Sequence, residues 1–280
     1  MRWRTEISWP GMAVRDLRTT LAKESNCGPQ LHSETYCAIE DDASLRMVES
    51  GRESRRWNPT AKQLEASEWP ALAAEFVQRT LGLSLEVQRV CNIMLTGGRS
   101  AERLYLAWRE LPAFWHLKNV NFFFGDERCV SPDDPESNYG MAMRTLFGSG
   151  VPSGCSVFRM AADDTDIDAA AWRYGELLPS QVDILLLGVG ADGHVASLFP
   201  GSAALRDVSR LVIPVIGPIP PFRRLTIGPN VVARAKSVIV LACGMEKRQV
   251  LARAIEDPDD INSLPARMAL GGTWLLDNAT

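Results

Sequence analysis

The sequence predicts an α/β protein of the three-layer, Rossmann-like kind: a mostly parallel sheet covered by helices on both faces. Two observations carry this expectation. Short, apolar, β-prone segments alternate with helical patterns, which is how parallel strands are joined. Several of these segments also run straight into glycine-rich turns, as strands leading into helices do. The 280 residues are 46% hydrophobic and 23% charged, an ordinary globular balance with enough apolar material for a substantial core. At about 150 residues per domain, one or two domains are expected.

Residues 1–58 differ from the rest. They mix Trp, Ser, Asn and charges, carry the charged run Glu49-Ser50-Gly51-Arg52-Glu53-Ser54-Arg55-Arg56, and sustain no apolar period. They read as an extension that is poorly ordered, or that belongs to a non-native start upstream of an internal one such as Met47. The globular domain is expected over residues 59–280.

From Thr60, the spacing of Leu64, Leu72, Phe76 and Val77 predicts one face of a helix, with Gly82 where it would stop. Val90 to Leu95 reads as a strand that passes through Thr96-Gly97-Gly98 into the helical pattern of Ala101, Leu104, Tyr105 and Trp108. Asn119 to Phe124 repeats the strand, followed by a loop rich in Pro, Asp and Ser and a helix over Asn138 to Phe147. Val182 to Leu187 is a third strand, ending at Gly188-Val189-Gly190. Further β-prone segments are Leu211 to Val215, Arg224 to Ile227 and Ser237 to Leu241, the last followed by a helix over Glu246 to Glu256. In such sheets the loops leaving the carboxyl ends of strands build the ligand site.

Charge and cysteine content narrow the classes of function. The formal net charge of −4 provides no basic field for nucleic acid or anionic lipid. There is no apolar run near the roughly 18 residues of a membrane span, and the opening segment lacks the apolar core of a secretory signal, so a cytoplasmic protein is expected. The six cysteines form no Cys-x-x-Cys pair, which argues for reduced thiols over a disulfide framework or zinc site.

Three loops carry candidate chemistry. In Thr96-Gly97-Gly98-Arg99-Ser100, paired glycines before a helix let backbone N–H groups face an anion, with Arg99 and Ser100 adding donors. The same turn also suits glycine for geometry alone. The second loop, Gly125-Asp126-Glu127-Arg128 continuing to Ser137-Asn138-Tyr139, sets two acids and an arginine at the sheet's carboxyl edge. There Arg128 can brace an anion or an oxyanion, or simply clamp the loop.

The third loop, Gly188 to Pro200, holds His194, the one histidine of three that follows a buried strand in a glycine-rich loop. A neutral imidazole takes a proton from water near pH 7, and Asp192 is placed to orient it. The flanking glycines suggest room for substrate. Ser197 lies outside a Gly-x-Ser-x-Gly elbow, and a single loop histidine lacks zinc-ligand spacing, so metal-free hydrolysis or isomerisation is favoured over serine or metal catalysis.

Together, these three segments resemble the 6-phosphogluconolactonase family from about Pro59 to the C-terminus. The first motif is shared with sugar-phosphate isomerases of the same superfamily. The resemblance implies hydrolysis of 6-phospho-D-glucono-1,5-lactone in the oxidative pentose phosphate pathway, with no cofactor and no metal. His194 falls on the family's catalytic histidine and Arg128 on the arginine that holds substrate and oxyanion, while Asp126 and Asp192 become orienting residues.

For the phosphate, the resemblance adds two segments to Gly97, Gly98, Arg99 and Ser100. These are Pro220-Pro221-Phe222-Arg223-Arg224-Leu225-Thr226, with Arg224 or its neighbour Arg223 as the contact, and Gly244-Met245-Glu246-Lys247, with Lys247. The implied partner is a small sugar-phosphate lactone, with no nucleic acid or membrane, and a monomer is compatible with the sequence. Ala191 stands where the family often has Glu, and Val195 where Thr is common. The family's usual first strand is not evident before the Thr60 helix.

Two rivals bear on the same residues. A glucosamine-6-phosphate deaminase or isomerase shares the fold and the Asp-Gly-His motif, but its chemistry calls for a carboxylate in a His-x-x-x-x-Glu arrangement. Here Phe199 occupies that place, and Arg128 replaces the usual Tyr. A catalytically silent sugar-phosphate binder would keep the phosphate loop without needing His194 or Arg128.

Overall fold

The computed structural model describes residues 59–256 and 260–277. The 1–58 extension lies outside the described residues. Strand β1 spans Thr60–Leu64 and is followed by helix α1 (Trp69–Val87). Next come β2 (Cys91–Leu95), α2 (Arg99–Trp108), the short α3 (Pro112–Trp115), β3 (Val120–Phe124) and β4 (Asp126–Arg128). Helix α4 (Asn138–Thr145), β5 (Ser156–Val157), α5 (Ile167–Leu177) and β6 (Ile184–Gly188) follow. The chain continues through β7 (Val212–Ile216), β8 (Arg223–Ile227), α6 (Pro229–Arg234), β9 (Ser237–Ala242), α7 (Met245–Glu256) and β10 (Thr273–Asp277).

The central sheet is parallel throughout, in the order β1-β10-β9-β6-β2-β3-β5. Its strands divide their side chains between two cores, as a period of two requires. Ile93, Leu95, Phe122, Phe124, Ile184 and Leu186 join the core under α1 and α2, with Val77, Leu81, Leu104 and Trp108. Met94, Phe123, Leu185 and Leu187 join the opposite core, with Tyr174 of α5 and Leu251 of α7. This is the expected three-layer α/β fold. Among the described residues, no helix is long and apolar enough to cross a membrane.

Three expectations are corrected. The single helix from Thr60 to Gly82 is a strand followed by a helix: Thr60–Leu64 pairs with β10 at the sheet edge, and α1 starts only at Trp69 with Pro70 in its first turn. Proline is pre-organised for that position, so Trp69-Pro70 was the start signal. Leu64 serves the strand's period and the helix's equally well, which concealed the boundary.

Gly82 does not end the helix, which runs on to Val87. The segments around Leu211 and Arg224 are strands, but they leave the parallel sheet. With β4 they form an antiparallel sheet of order β4-β8-β7, which pairs Arg128 with Arg224.

Asp183 anchors the start of β6. Its carboxylate accepts the Asn92 backbone N–H at 2.7 Å and pairs with Lys236 Nζ at 2.7 Å. Burial works against its ionisation, but Lys236 and the Asn92 N–H outweigh it, and the carboxyl stays below its ordinary value. A depressed folded value stabilises the fold above the unfolded carboxylate's pKa of about 3.9 and loses that contribution as pH falls through the folded value. Asp183→Asn is therefore expected to lower stability at pH 7 by about 1–2 kcal/mol. Urea midpoints of the two proteins are expected to approach one another as the pH is lowered below the unfolded value, through the folded one.

Candidate active site

The carboxyl ends of β2, β3, β6, β9 and β10 open onto one cleft of about 1060 Å³. Every position expected to carry chemistry lines it except Asp192, which stands behind His194.

At one end, β2 passes into α2 through Thr96, Gly97 and Gly98. Tyr105 Oη fixes the turn from within by accepting the Thr96 N–H and donating to the Thr96 carbonyl, at 2.9 and 2.8 Å. Thr96 Oγ1 accepts the Gly188 N–H at 3.1 Å, which ties this loop to the His194 loop. Gly98 takes φ +91°, a conformation glycine adopts freely, and no side chain caps α2, leaving its first N–H groups available to an anion. Gly97 has a different reason for being glycine: a Cβ there would lie 1.9 Å from Asn138 Oδ1.

Helix α7 begins beside this turn, after Gly244, whose N–H is held by Asp277 Oδ1 at 2.7 Å. Arg99, Ser100 and Lys247 thus face one region of the cleft. Arg103 joins them and was missed in the sequence. Its spacing of four from Arg99 on a helix puts both on one face, a signal that was available.

The second loop is organised by Glu127. Its buried carboxylate accepts the backbone N–H groups of Arg128, Asn138 and Tyr139 at 2.7, 2.8 and 2.7 Å, and the Ser137 hydroxyl at 3.0 Å. Ser137 in turn caps α4 by accepting the Gly140 N–H at 2.9 Å. Burial raises the Glu127 pKa, and the four donors hold the rise back. Glu127→Ala would strand these donors in the interior, with an expected loss of about 2–4 kcal/mol, read as a lower urea midpoint at unchanged m-value.

Asp126 was expected to orient the reacting groups, yet it makes no bond to the histidine ring. Its carboxylate accepts Ser197 Oγ at 2.7 Å and Asn138 Nδ2 at 3.2 Å. With Asn138 seated against Gly97, this buried network joins all three loops.

Arg128 donates through Nη1 to the Glu136 carbonyl, and its buried Nε has no hydrogen-bond partner among the described residues. Opposite it in the β4–β8 register, Arg224 is 5% exposed and lines the cleft, whereas Arg223 is exposed and does not. Strand alternation therefore settles which of the two arginines faces the site. Arg224 donates to the carbonyls of Pro221 and Ile219 at 3.0 and 3.4 Å. Burial and then the neighbouring Arg128 charge lower its pKa. Paired guanidiniums of this kind attract an anion with several oxygens.

The third loop folds back on itself. Val189 bridges to Val195, the Gly190 N–H reaches the His194 carbonyl at 2.8 Å, and the Gly193 N–H reaches the Gly190 carbonyl at 2.9 Å. Asp192 Oδ1 then accepts the His194 N–H at 3.1 Å and lies 2.6 Å from His194 Nδ1. Burial disfavours the Asp192 charge, but its hydrogen bond with His194 and the charge of that ring outweigh burial and lower its pKa. A carboxylate only accepts, so Nδ1 carries the proton, and in the neutral form of the ring Nε2 is the nitrogen with the lone pair.

The glycines of this loop were expected to leave room for substrate, and Gly188 and Gly190 line the cleft with His194. Gly190 also leaves room for the His194–Asp192 pair: a Cβ would sit 2.1 Å from His194 Nδ1 and 2.3 Å from Asp192 Oδ1. Gly193 takes φ +86° and packs against Leu264. Ala191 is exposed and Val195 lies in the core, so neither departure from the family pattern touches the cleft. Among the described residues, no group of three or more His, Cys, Asp or Glu side chains is placed to hold a metal ion.

A parallel α/β sheet whose carboxyl edge joins a glycine turn at a helix start, two arginines and an Asp-held histidine defines an α/β protein with a cationic, histidine-bearing cleft. Residues 65–276 match the model of the glucosamine-6-phosphate isomerase/6-phosphogluconolactonase family, and the chain belongs to that family. The 6-phosphogluconolactonase of Mycobacterium tuberculosis is 35% identical over 227 residues, covering 74% of this chain and 90% of that protein. The human 6-phosphogluconolactonase is 36% identical over 204 residues, 66% of this chain and 77% of its own length.

Among solved structures, the 6-phosphogluconolactonase of Trypanosoma brucei is 28% identical, with a TM-score of 0.67, covering 79% of this chain and 97% of that one. A monomeric glucosamine-6-phosphate deaminase, 22% identical with a TM-score of 0.66, shares the fold. The curated relatives place the chain with the lactonases of the family.

Proposed function

We propose that the protein hydrolyses 6-phospho-D-glucono-1,5-lactone to 6-phospho-D-gluconate, acting in the cytoplasm without metal or cofactor. The observation that carries this reading is the His194–Asp192 pair, which leaves Nε2 as the proton-accepting nitrogen of a histidine lining the cleft that Arg128 and Arg224 share. Relatives called 6-phosphogluconolactonases, at about a third identity over most of their length, support the substrate.

The phosphate is held by the N–H groups after Gly97 and Gly98 together with Arg99, Ser100, Arg224 and Lys247, with Arg103 as a further donor. His194 Nε2 removes a proton from water, and the resulting hydroxide adds to the lactone carbonyl carbon. The tetrahedral intermediate carries its charge on the former carbonyl oxygen, which Arg128 stabilises. Collapse breaks the bond to the ring oxygen, and the imidazolium returns its proton to that oxygen. Asp192 holds the ring's tautomer throughout, while Asp126 keeps the loops in register through Ser197 and Asn138.

The test is turnover of freshly generated lactone after subtraction of its spontaneous hydrolysis. A clear enzymatic rate supports the reading. No rate above background would overturn it, and glucosamine 6-phosphate turnover would then identify isomerase chemistry.

A further inference from the structure

Phe199 makes two contacts that the hydrolysis above does not use. Its ring is buried, its centroid lies 4.7 Å from that of His194 at an interplanar angle of 47°, and the Arg224 guanidinium carbon sits over it at 5.6 Å. A third residue closes the arrangement. A Cβ on Gly217 would lie 3.2 Å from two atoms of the Phe199 ring and 3.0 Å from Arg224 Nε, so the ring and the guanidinium pack against a bare backbone.

We propose that Phe199 is a positioning residue, a shared ring surface that holds the base and the phosphate-side arginine in fixed relation. The proposal rests on the roles given above to His194 and Arg224. Arg224 is buried, the carboxylates that act on it, Asp126 and Glu136, do so without a direct ion pair among the described residues, and one of its two carbonyl contacts is long at 3.4 Å. The negative face of an aromatic ring compensates part of that desolvation and fixes where the guanidinium lies. Among the described residues the His194 ring has one side-chain hydrogen-bond partner, Asp192, and one hydrogen bond leaves the ring free to tilt about it. Contact with Phe199 removes that freedom, so both groups meet the substrate from positions set by one ring.

The test keeps the ring's shape and changes its electrostatics. Phenylalanine carrying one, two or three ring fluorines is placed at position 199 of the full chain. KM for the lactone and Kd for 6-phosphogluconate are then measured alongside the melting temperature. Both constants are expected to rise stepwise with fluorine number, by about three- to tenfold at three fluorines, with the melting temperature unchanged.

Gly217→Ala, which pushes on the ring and Arg224 without removing either, is expected to raise the same two constants severalfold. KM and Kd that stay flat across the fluorinated series and in Gly217→Ala would overturn the proposal. Absence of turnover in the wild type would instead overturn the lactonase reading, with the Kd series still deciding whether the ring holds Arg224.

Discussion

His194→Ala is expected to lower kcat for the lactone by about 10² to 10⁴, the range for losing a general base. That corresponds to about 3–5 kcal/mol of barrier. The fold is expected to survive because the imidazole is partly exposed, and its one side-chain hydrogen bond among the described residues is to Asp192, itself at the surface. Binding of 6-phosphogluconate is expected to persist, since the anion-holding groups come from the other loops. The diagnostic result is therefore a collapsed kcat with a nearly unchanged product Kd.

Asp192→Asn is expected to fall in the same direction by a smaller factor, because an amide can present its N–H₂ group to the ring and favour the wrong tautomer. Turnover of His194→Ala close to wild type would remove the histidine from the chemistry. It would also leave Asp126, an acid that lines the cleft with Arg128 and Arg224, as the group to test next.

What was legible in the sequence follows from how each feature is encoded. The three loops stood out because each combines a β-prone run with glycines and charge within a dozen residues, so strand, turn and chemistry are written contiguously. The location of Gly97, His194 and Lys247 on one cleft follows from the parallel topology, which sends the ends of β2, β6 and β9 to the same edge, whereas Arg224 reaches that cleft from β8 of the antiparallel sheet.

Features built from distant partners were not legible. Glu127 reads as one acid among several, and only the fold brings it to the N–H groups of Asn138 and Tyr139, eleven and twelve residues away. The Asp126–Ser197 bond spans 71 residues. The departure of β7 and β8 from the main sheet also left no local mark, since an apolar strand reads alike in either sheet.

The two glycines around the Asp-His pair look equivalent in sequence and are expected to respond differently to substitution. At Gly193 the backbone is left-handed and an added Cβ would lie 2.1 Å from Leu264 Cδ1, so Gly193→Ala is expected to cost stability first. At Gly190 the backbone φ is not left-handed, and what an added methyl would meet is the Asp-His pair itself: Nδ1 and Cε1 of His194 at 2.1 and 2.3 Å, and Asp192 Oδ1 at 2.3 Å.

Both backbone groups of Gly190 are hydrogen-bonded within the loop, so the chain is held and the side chains must yield. Relief to normal contact moves the ring by more than about 1 Å, a displacement that costs on the order of 10² in rate when it misaligns a catalytic group. Gly190→Ala is therefore expected to approach His194→Ala in kcat while keeping a near wild-type melting temperature and product Kd. A Gly190→Ala enzyme with wild-type kcat would mean that the 2.6 Å contact between His194 and Asp192 is dispensable for turnover, and the base would then have to act from another orientation.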